Sequence, residues 1–178
     1  DRLNSFKLGP LLKLAFLWPD VFISNSSIAN NLIQKKTANR GKKLKFYKIN
    51  NGVELSNIEI NSKIEKTFVI GYLGRIDKNK NVDMLFHVFS KMSIKNNNIK
   101  LVIVGEGQER KNILKLIGKH NLDKYVELHR FTNNPNSFID QFNILCLPSK
   151  AEGLPNVVLE AMSRKCPVII SNVGGNPE

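Results

Sequence analysis

The stretch TFVIGYLGRIDKNKNVDMLFHVFSKMSIKNNNIKLVIVG, residues 67–105, decides the fold. It opens on TFVIGYLG (67–74), an apolar run too short for a helix and closed by glycine, which reads as a buried strand. VDMLFHVFSKM (82–92) then repeats its apolar residues at helical spacing, and IKLVIVG (99–105) is a second buried strand. Strand, helix and strand in succession make a parallel βαβ unit.

Outward from this unit the same alternation continues. QERKNILKLIGKH (108–120) reads as a helix, YVELH (125–129) as a strand, NSFIDQ (136–141) as a short helix and ILCLPS (144–149) as a strand. LPNVVLEAMSRK (154–165) and PVIIS (167–171) add a further helix and strand. Right-handed crossovers turn such a series into an α/β, Rossmann-like, doubly wound parallel sheet with helices on both faces. Upstream, PDVFIS (19–24), SIANNLIQKK (27–36) and KFYKI (45–49) form a separate strand, helix and strand. Between the two parts lie the turn residues Asn50-Asn51-Gly52-Val53 and the polar, weakly patterned ELSNIEINSKIEK (54–66). The expected organisation is the tail of one α/β domain at 1–52, a linker at 53–65 and a second domain at 66–178. The chain begins with Asp1 and ends on Gly-Gly-Asn-Pro-Glu (174–178), an approach to another helix, so it reads as a piece of a longer protein.

Composition limits the function classes. With 178 residues and 42% hydrophobic content the chain buries a real core and is not a disordered tail. No apolar run reaches the roughly 20 residues of a membrane span, because LLKLAFLWPDVFI (11–23) is interrupted by Lys13, Pro19 and Asp20. No secretory signal is present, and Cys146 and Cys166 read as separate reduced thiols, which suits a cytoplasmic protein. The net charge of +12 points to anionic partners. Residues 1–65 carry 11 basic and 5 acidic side chains and residues 66–178 carry 16 and 10, so each part contributes +6. The excess is densest in KKTANRGKKLKFYK (35–48), with seven basic residues and no acid. A solvated helix end is the plain reading of that run, and a peripheral contact with a membrane surface or nucleic acid the sharper one.

In a doubly wound sheet ligands sit beyond the carboxyl ends of the strands. Four loops there carry candidates. In Gly71-Tyr72-Leu73-Gly74-Arg75-Ile76-Asp77-Lys78-Asn79-Lys80, glycine admits close backbone approach while Arg75 and Lys80 bring positive charge. Gly105-Glu106-Gly107 lacks the third glycine of a dinucleotide fingerprint, and a tight turn is its default reading. His129-Arg130-Phe131 borders a planar base or is a satisfied histidine beside a packed Phe131. In AEGLPNVVLEAM (151–162), Pro155 fits the first turn of a helix and Gly153 the turn before it, so the N–H groups near Gly153, Leu154 and Asn156 favour an anion. Glu152 precedes the helix and Glu160 lies more than a turn inside it, about 12 Å apart along the backbone at the helical rise. That is too far for two groups acting on one bond, but it suits the two ends of an elongated ligand such as a nucleotide-sugar.

The ordered set GRIDKNKN, VIVGEG, LPSKAEGLPNVVLEAM and PVIISNVGG resembles the donor-binding half of the family 4 retaining glycosyltransferases of GT-B fold, whose Glu-x7-Glu hallmark is met by Glu152 and Glu160. The resemblance covers 66–178 and, more loosely, 19–53, which looks like the end of the acceptor-binding domain. It implies a retaining hexosyltransferase using a UDP- or GDP-sugar and a glycan or lipid-linked acceptor. Arg75 and Lys80 would neutralise the leaving diphosphate, Glu152 would hold hydroxyls of the transferred sugar and Glu160 would bind ribose. Gly74, Gly105, Gly107, Arg130, Phe131, Gly153, Leu154, Pro155 and Asn156 would complete the donor site. The chain has no Asp-x-Asp, so no metal or other cofactor is expected, the sugar nucleotide being a substrate. Arg130 and Lys165 stand where the family often has glycine. Two other readings remain open: a nucleotide-binding module without catalysis, and a basic protein stacking nucleic-acid bases on Phe46 and Tyr47. No nucleic acid is expected on the glycosyltransferase reading.

Overall fold

Within β3 (Phe68–Leu73) and β4 (Ile99–Val104) most residues are buried, consecutive ones included, as strands covered on both faces require. A computed structural model of the chain describes residues 18–38, 44–55 and 67–178. From β3 the chain passes through helix α2 (Val82–Ser93), β4, α3 (Arg110–Lys119), β5 (Val126–His129), α4 (Asn136–Ile139), β6 (Ile144–Leu147), α5 (Asn156–Ser163) and β7 (Val168–Ile170). The five strands pair in the order β5-β4-β3-β6-β7, all parallel. Strand order runs one way from β3 through β4 to β5 and the other way from β6 to β7, so right-handed crossovers put α2 and α3 on one face and α5 on the other. This is the doubly wound sheet expected from the sequence. Tyr72, Phe86, Phe89, Leu101, Ile103, Ile113, Leu145 and Leu147 form its core.

The upstream part is a small parallel βαβ unit of β1 (Val21–Ser24), α1 (Ser27–Thr37) and β2 (Lys45–Lys48). Ser26 caps α1, its Oγ accepting from the Ala29 N–H at 3.2 Å. Phe22 and Phe46 stack with ring centroids 5.6 Å apart. Phe46 is half-buried in this stack, while Tyr47 beside it is exposed. Of the basic run 35–48, residues 39–43 lie outside the described residues, as do 56–66, which take in most of the expected linker.

Two helix starts differ from the sequence pattern for local reasons. The apolar periodicity places a helix from 108, yet α3 begins at Arg110 because the Glu109 N–H is bonded to the Ile76 carbonyl at 2.9 Å. The expected helix from 154 begins at Asn156, with Pro155 as its extended cap at φ −74°, ψ 119°, one residue before the first turn. At the other end of α5, Lys165 adopts φ 60°, the left-handed position after a helix that glycine usually fills. Cys146 and Cys166 are free, and burial pushes both thiols up, Cys146 to about 11. No helix among the described residues is long and apolar enough to cross a membrane.

The two glycines after β4, Gly105 and Gly107, are explained by backbone crowding. Gly74, Gly105 and Gly107 have φ of 154°, 151° and 154°. A Cβ at Gly105 would overlap the Gly74 carbonyl oxygen, and one at Gly107 the Ile76 carbonyl. Their absence lets the Gly74 N–H reach the Val104 carbonyl at 3.0 Å and the Ile76 N–H reach the Glu106 carbonyl at 2.8 Å. Gly107→Ala should therefore lower the unfolding free energy by about 1–3 kcal/mol. Gly118→Ala, at a helical position with open space around it, should raise it by about 0.5–1 kcal/mol. Urea denaturation of both variants checks the pair, and a harmless Gly107→Ala would remove crowding as the reason for that glycine.

Candidate functional site

All five loops that follow the strands of a parallel sheet leave from one edge, and here those after β3 and β6 are stitched together. Asp77 orders the first of them: its Oδ1 accepts from the N–H groups of Asn79 and Lys80 at 2.9 and 3.0 Å. The Asn79 side chain then donates to the Ala151 carbonyl at 2.9 Å, while the Asn79 main-chain carbonyl accepts from the Lys150 N–H at 2.7 Å. Asn81, held at φ 57°, donates to the Pro148 carbonyl at 3.3 Å. Sequence reasoning passed over Asp77, Asn79 and Asn81. The signal available was their Asx-turn chemistry, three short amide or carboxylate side chains at alternate positions in a strand-to-helix loop.

The stitching brings Lys80 onto Glu152. Lys80 Nζ lies 2.6 Å from Glu152 Oε1, with the two side chains 16% and 8% exposed. Arg75 is treated differently, 78% exposed and facing Asp77 Oδ2 at 3.4 Å. The two cations expected to supply free positive charge thus each stand beside a carboxylate. Tyr72, fully buried, donates its hydroxyl to the Arg75 carbonyl at 2.5 Å. Burial, with Asp77 and Glu152 nearby, raises its pKa far above the ordinary phenol range, so it remains a donor.

Glu152 is fixed from behind by the loop after β7. Its carbonyl accepts from the Gly175 N–H at 3.2 Å, and a Cβ at Gly174 would collide with that carbonyl. Gly153 lies in the bend before α5, as expected, without a positive φ. A Cβ there would lie 3.2 Å from Asn25 Oδ1, so its role is to admit the upstream unit. Asn51 spans the same seam, donating to the Leu154 carbonyl at 2.8 Å and to Asn156 Oδ1 at 2.6 Å. Nearby, the Glu178 carboxylate accepts from the Ser27 N–H at 2.7 Å and pairs with Lys48 Nζ at 3.0 Å. These contacts hold that carboxyl below the usual range, Lys48 being the main cause.

Glu160 faces a cavity of about 320 Å³ whose wall also includes Gly52, Val53, Asn136, Asn156 and Arg164. Arg164 in turn pairs with Asp140. At the mouth of the loop after β5, Arg130 is 85% exposed with Nε 3.9 Å from Glu106 Oε1, and Phe131 is 72% exposed. Phe131 is therefore not packed, whereas His129 is satisfied, 2.9 Å from Glu127 Oε2 and ring to ring with Phe138 at 4.9 Å. Gly105 and Gly107 serve backbone packing, as described above. The arrangement offers an elongated ligand a helix start at Asn156, a Lys–Glu pair beside it, a carboxylate in a cavity one turn on and an exposed aromatic ring. Removing Lys80 leaves Glu152 without its counter-charge, so Lys80→Met should lower stability by about 1–3 kcal/mol. Arg75→Ala, at an exposed side chain, should stay within about 0.5 kcal/mol of the parent. Equal urea midpoints for the two variants would mean that the Lys80–Glu152 pair contributes nothing to the fold.

The sequence and the fold both have known counterparts. The model of the family "Glycosyl transferases group 1" matches residues 54–178. The capsular polysaccharide biosynthesis glycosyltransferase CapM of Staphylococcus aureus is 30% identical over 186 residues, 96% of this chain and 48% of CapM. CapH of the same organism is 35% identical over 157 residues, 86% of this chain and 43% of CapH. The chain spans about half the length of the curated relatives it matches. Among solved structures, Anabaena HepE in complex with UDP superposes with a TM-score of 0.79 at 19% identity, over 98% of this chain and 52% of that one. The pneumococcal O-GlcNAc transferase GtfA in complex with UDP and GlcNAc gives 0.78 at 23% identity, over 89% of this chain and 31% of that one. These likenesses carry the GT-B fold. With most of its length inside the family match, the chain belongs to the group 1 glycosyl transferases.

Proposed function

We propose that the whole protein is a retaining hexosyltransferase of the family 4 type, moving a sugar from a UDP- or GDP-sugar to a glycan or lipid-linked acceptor. In this reading residues 1–52 end the acceptor-binding domain, 53–65 link it and 66–178 hold the donor. The observation that carries the reading is the stitched pair of loops that sets Lys80 and Glu152 at the start of α5, with Glu160 farther along the same helix.

The physical logic follows the charge. As the bond between sugar and phosphate breaks, negative charge grows on the diphosphate, and fixed donors aimed at that charge lower the barrier. The first N–H groups of α5 have no intrahelical partner and carry the positive end of the helix dipole. Lys80 and the exposed Arg75 add to them. Glu160 takes ribose hydroxyls in the cavity it faces, Arg130 and Phe131 border the base, and Glu152 takes hydroxyls of the transferred sugar. CapM and CapH are named for capsular polysaccharide biosynthesis, which supports a glycan-type acceptor. A Campylobacter jejuni relative, 28% identical, is named as acting on a diphospho-undecaprenol-linked sugar, which supports a lipid-linked one. The basic run 35–48 fits a cytoplasmic protein in peripheral contact with an anionic membrane surface carrying such an acceptor.

Calorimetric titration with UDP and GDP tests the site. Arg75→Ala should weaken diphosphate binding by roughly 1.5–3 kcal/mol and leave the bare nucleoside unaffected. Glu160→Gln should weaken nucleoside and diphosphate alike, because ribose is common to both. Loss of nucleoside affinity in Arg75→Ala would remove that residue from the phosphate site. With no Asp-x-Asp in the sequence, donor binding is expected to survive EDTA, and restoration by Mg²⁺ or Mn²⁺ of binding lost on chelation would count against a metal-free site.

A further inference from the structure

Lys80 and Glu152, assigned to the phosphate and sugar ends of the donor, touch each other at 2.6 Å in a largely buried setting. Their neighbours leave them to one another. Arg75 faces Asp77, and the Tyr72 hydroxyl is committed to the Arg75 carbonyl. Neither backbone is free to shift. The Lys80 N–H is held by Asp77 Oδ1, the Ala151 carbonyl by Asn79 and the Glu152 carbonyl by Gly175. What remains adjustable is side-chain rotation, and the lysine has the longer, more flexible stem.

Resting on the donor-site reading above, we propose that Glu152 and the donor's diphosphate compete for Lys80, so that Lys80 turns to phosphate as hydroxyls of the transferred sugar replace it on Glu152. The exchange is balanced for a sugar nucleotide. The ammonium leaves a carboxylate for a phosphate oxygen, and the carboxylate leaves an ammonium for hydroxyl donors, so no buried charge is left alone. A bare nucleoside diphosphate satisfies only half of it. It takes Lys80 and leaves Glu152 without a partner, which penalises the complex. Glu152 thus favours the intact donor over the diphosphate, and once the sugar has left it draws Lys80 back and promotes release of the product. This makes Glu152 a positioning residue for Lys80 as well as a sugar contact.

Titration calorimetry on the chain decides the matter, comparing the parent with Glu152→Gln and Glu152→Asp. The probes are UDP, GDP, UDP-glucose, UDP-N-acetylglucosamine and GDP-mannose. Glu152→Gln removes the competing charge and should bind the preferred diphosphate on the order of tenfold more tightly, the size of one charged hydrogen bond, while losing the parent's preference for the sugar nucleotide. Glu152→Asp keeps the charge and should show no gain. Unchanged or weaker diphosphate binding by a folded Glu152→Gln chain overturns the competition and leaves the glycosyltransferase reading intact. A folded parent that binds none of these nucleotides overturns both. Should Glu152→Gln fail to fold, the parent chain gives the decision: it should bind the preferred sugar nucleotide several-fold more tightly than the corresponding diphosphate, because only the sugar's hydroxyls replace Lys80 on Glu152, and equal or tighter binding of the diphosphate sinks the proposal.

Discussion

The amide of Asn79 is the contact on which the site depends. Its NH2 group donates to the Ala151 carbonyl and, together with the Asn79 main-chain carbonyl, which accepts from the Lys150 N–H, fixes the loop after β3 against the loop after β6. Two strands that are neighbours in the sheet would otherwise present two independently mobile loops, and the charges they carry would be screened by water. Held together, the loops bury Lys80 against Glu152 at the start of α5. The geometry then follows from strand order, because β3 and β6 are the strands at which the winding reverses.

The second constraint is the approach of backbone to backbone. Gly105 and Gly107 leave room for the carbonyls of Gly74 and Ile76, and Gly174 leaves room for the carbonyl of Glu152. Such glycines look from the sequence like places where a ligand comes close. In the folded chain the close neighbour is the protein itself, and the benefit to the site is rigidity. Loops that exchange main-chain hydrogen bonds hold their side chains in one place, which is what preorganised stabilisation of developing charge requires.

A seam between the upstream βαβ unit and the sheet passes along the same helix start. Asn51 reaches Leu154 and Asn156, Asn25 approaches Gly153, and Glu178 ties Ser27 and Lys48. The loop bearing Glu152 is thus braced by the upstream unit through amides and one carboxylate, contacts that are directional and therefore sensitive to small displacements.

The sequence by itself determined the order of strands and helices, the doubly wound sheet, and the loops that leave its carboxyl edge. These are consequences of local periodicity and of chirality, which act within a few residues or through a rule that holds for every crossover. It also singled out Glu152 and Glu160 as candidates, because their spacing around a helix start is a property of one short segment. Only the tertiary structure decided which charges meet. Lys80 and Glu152 are 72 residues apart in the chain, and their contact depends on Asp77, Asn79 and Asn81 folding one loop onto another. The same holds for Phe46, which packs on Phe22, and for Phe131, which stays exposed. A side chain's type and its neighbours in sequence set what it can bond to, but a hydrogen bond or ion pair works over about 3 Å, and only the folded backbone brings partners within that distance.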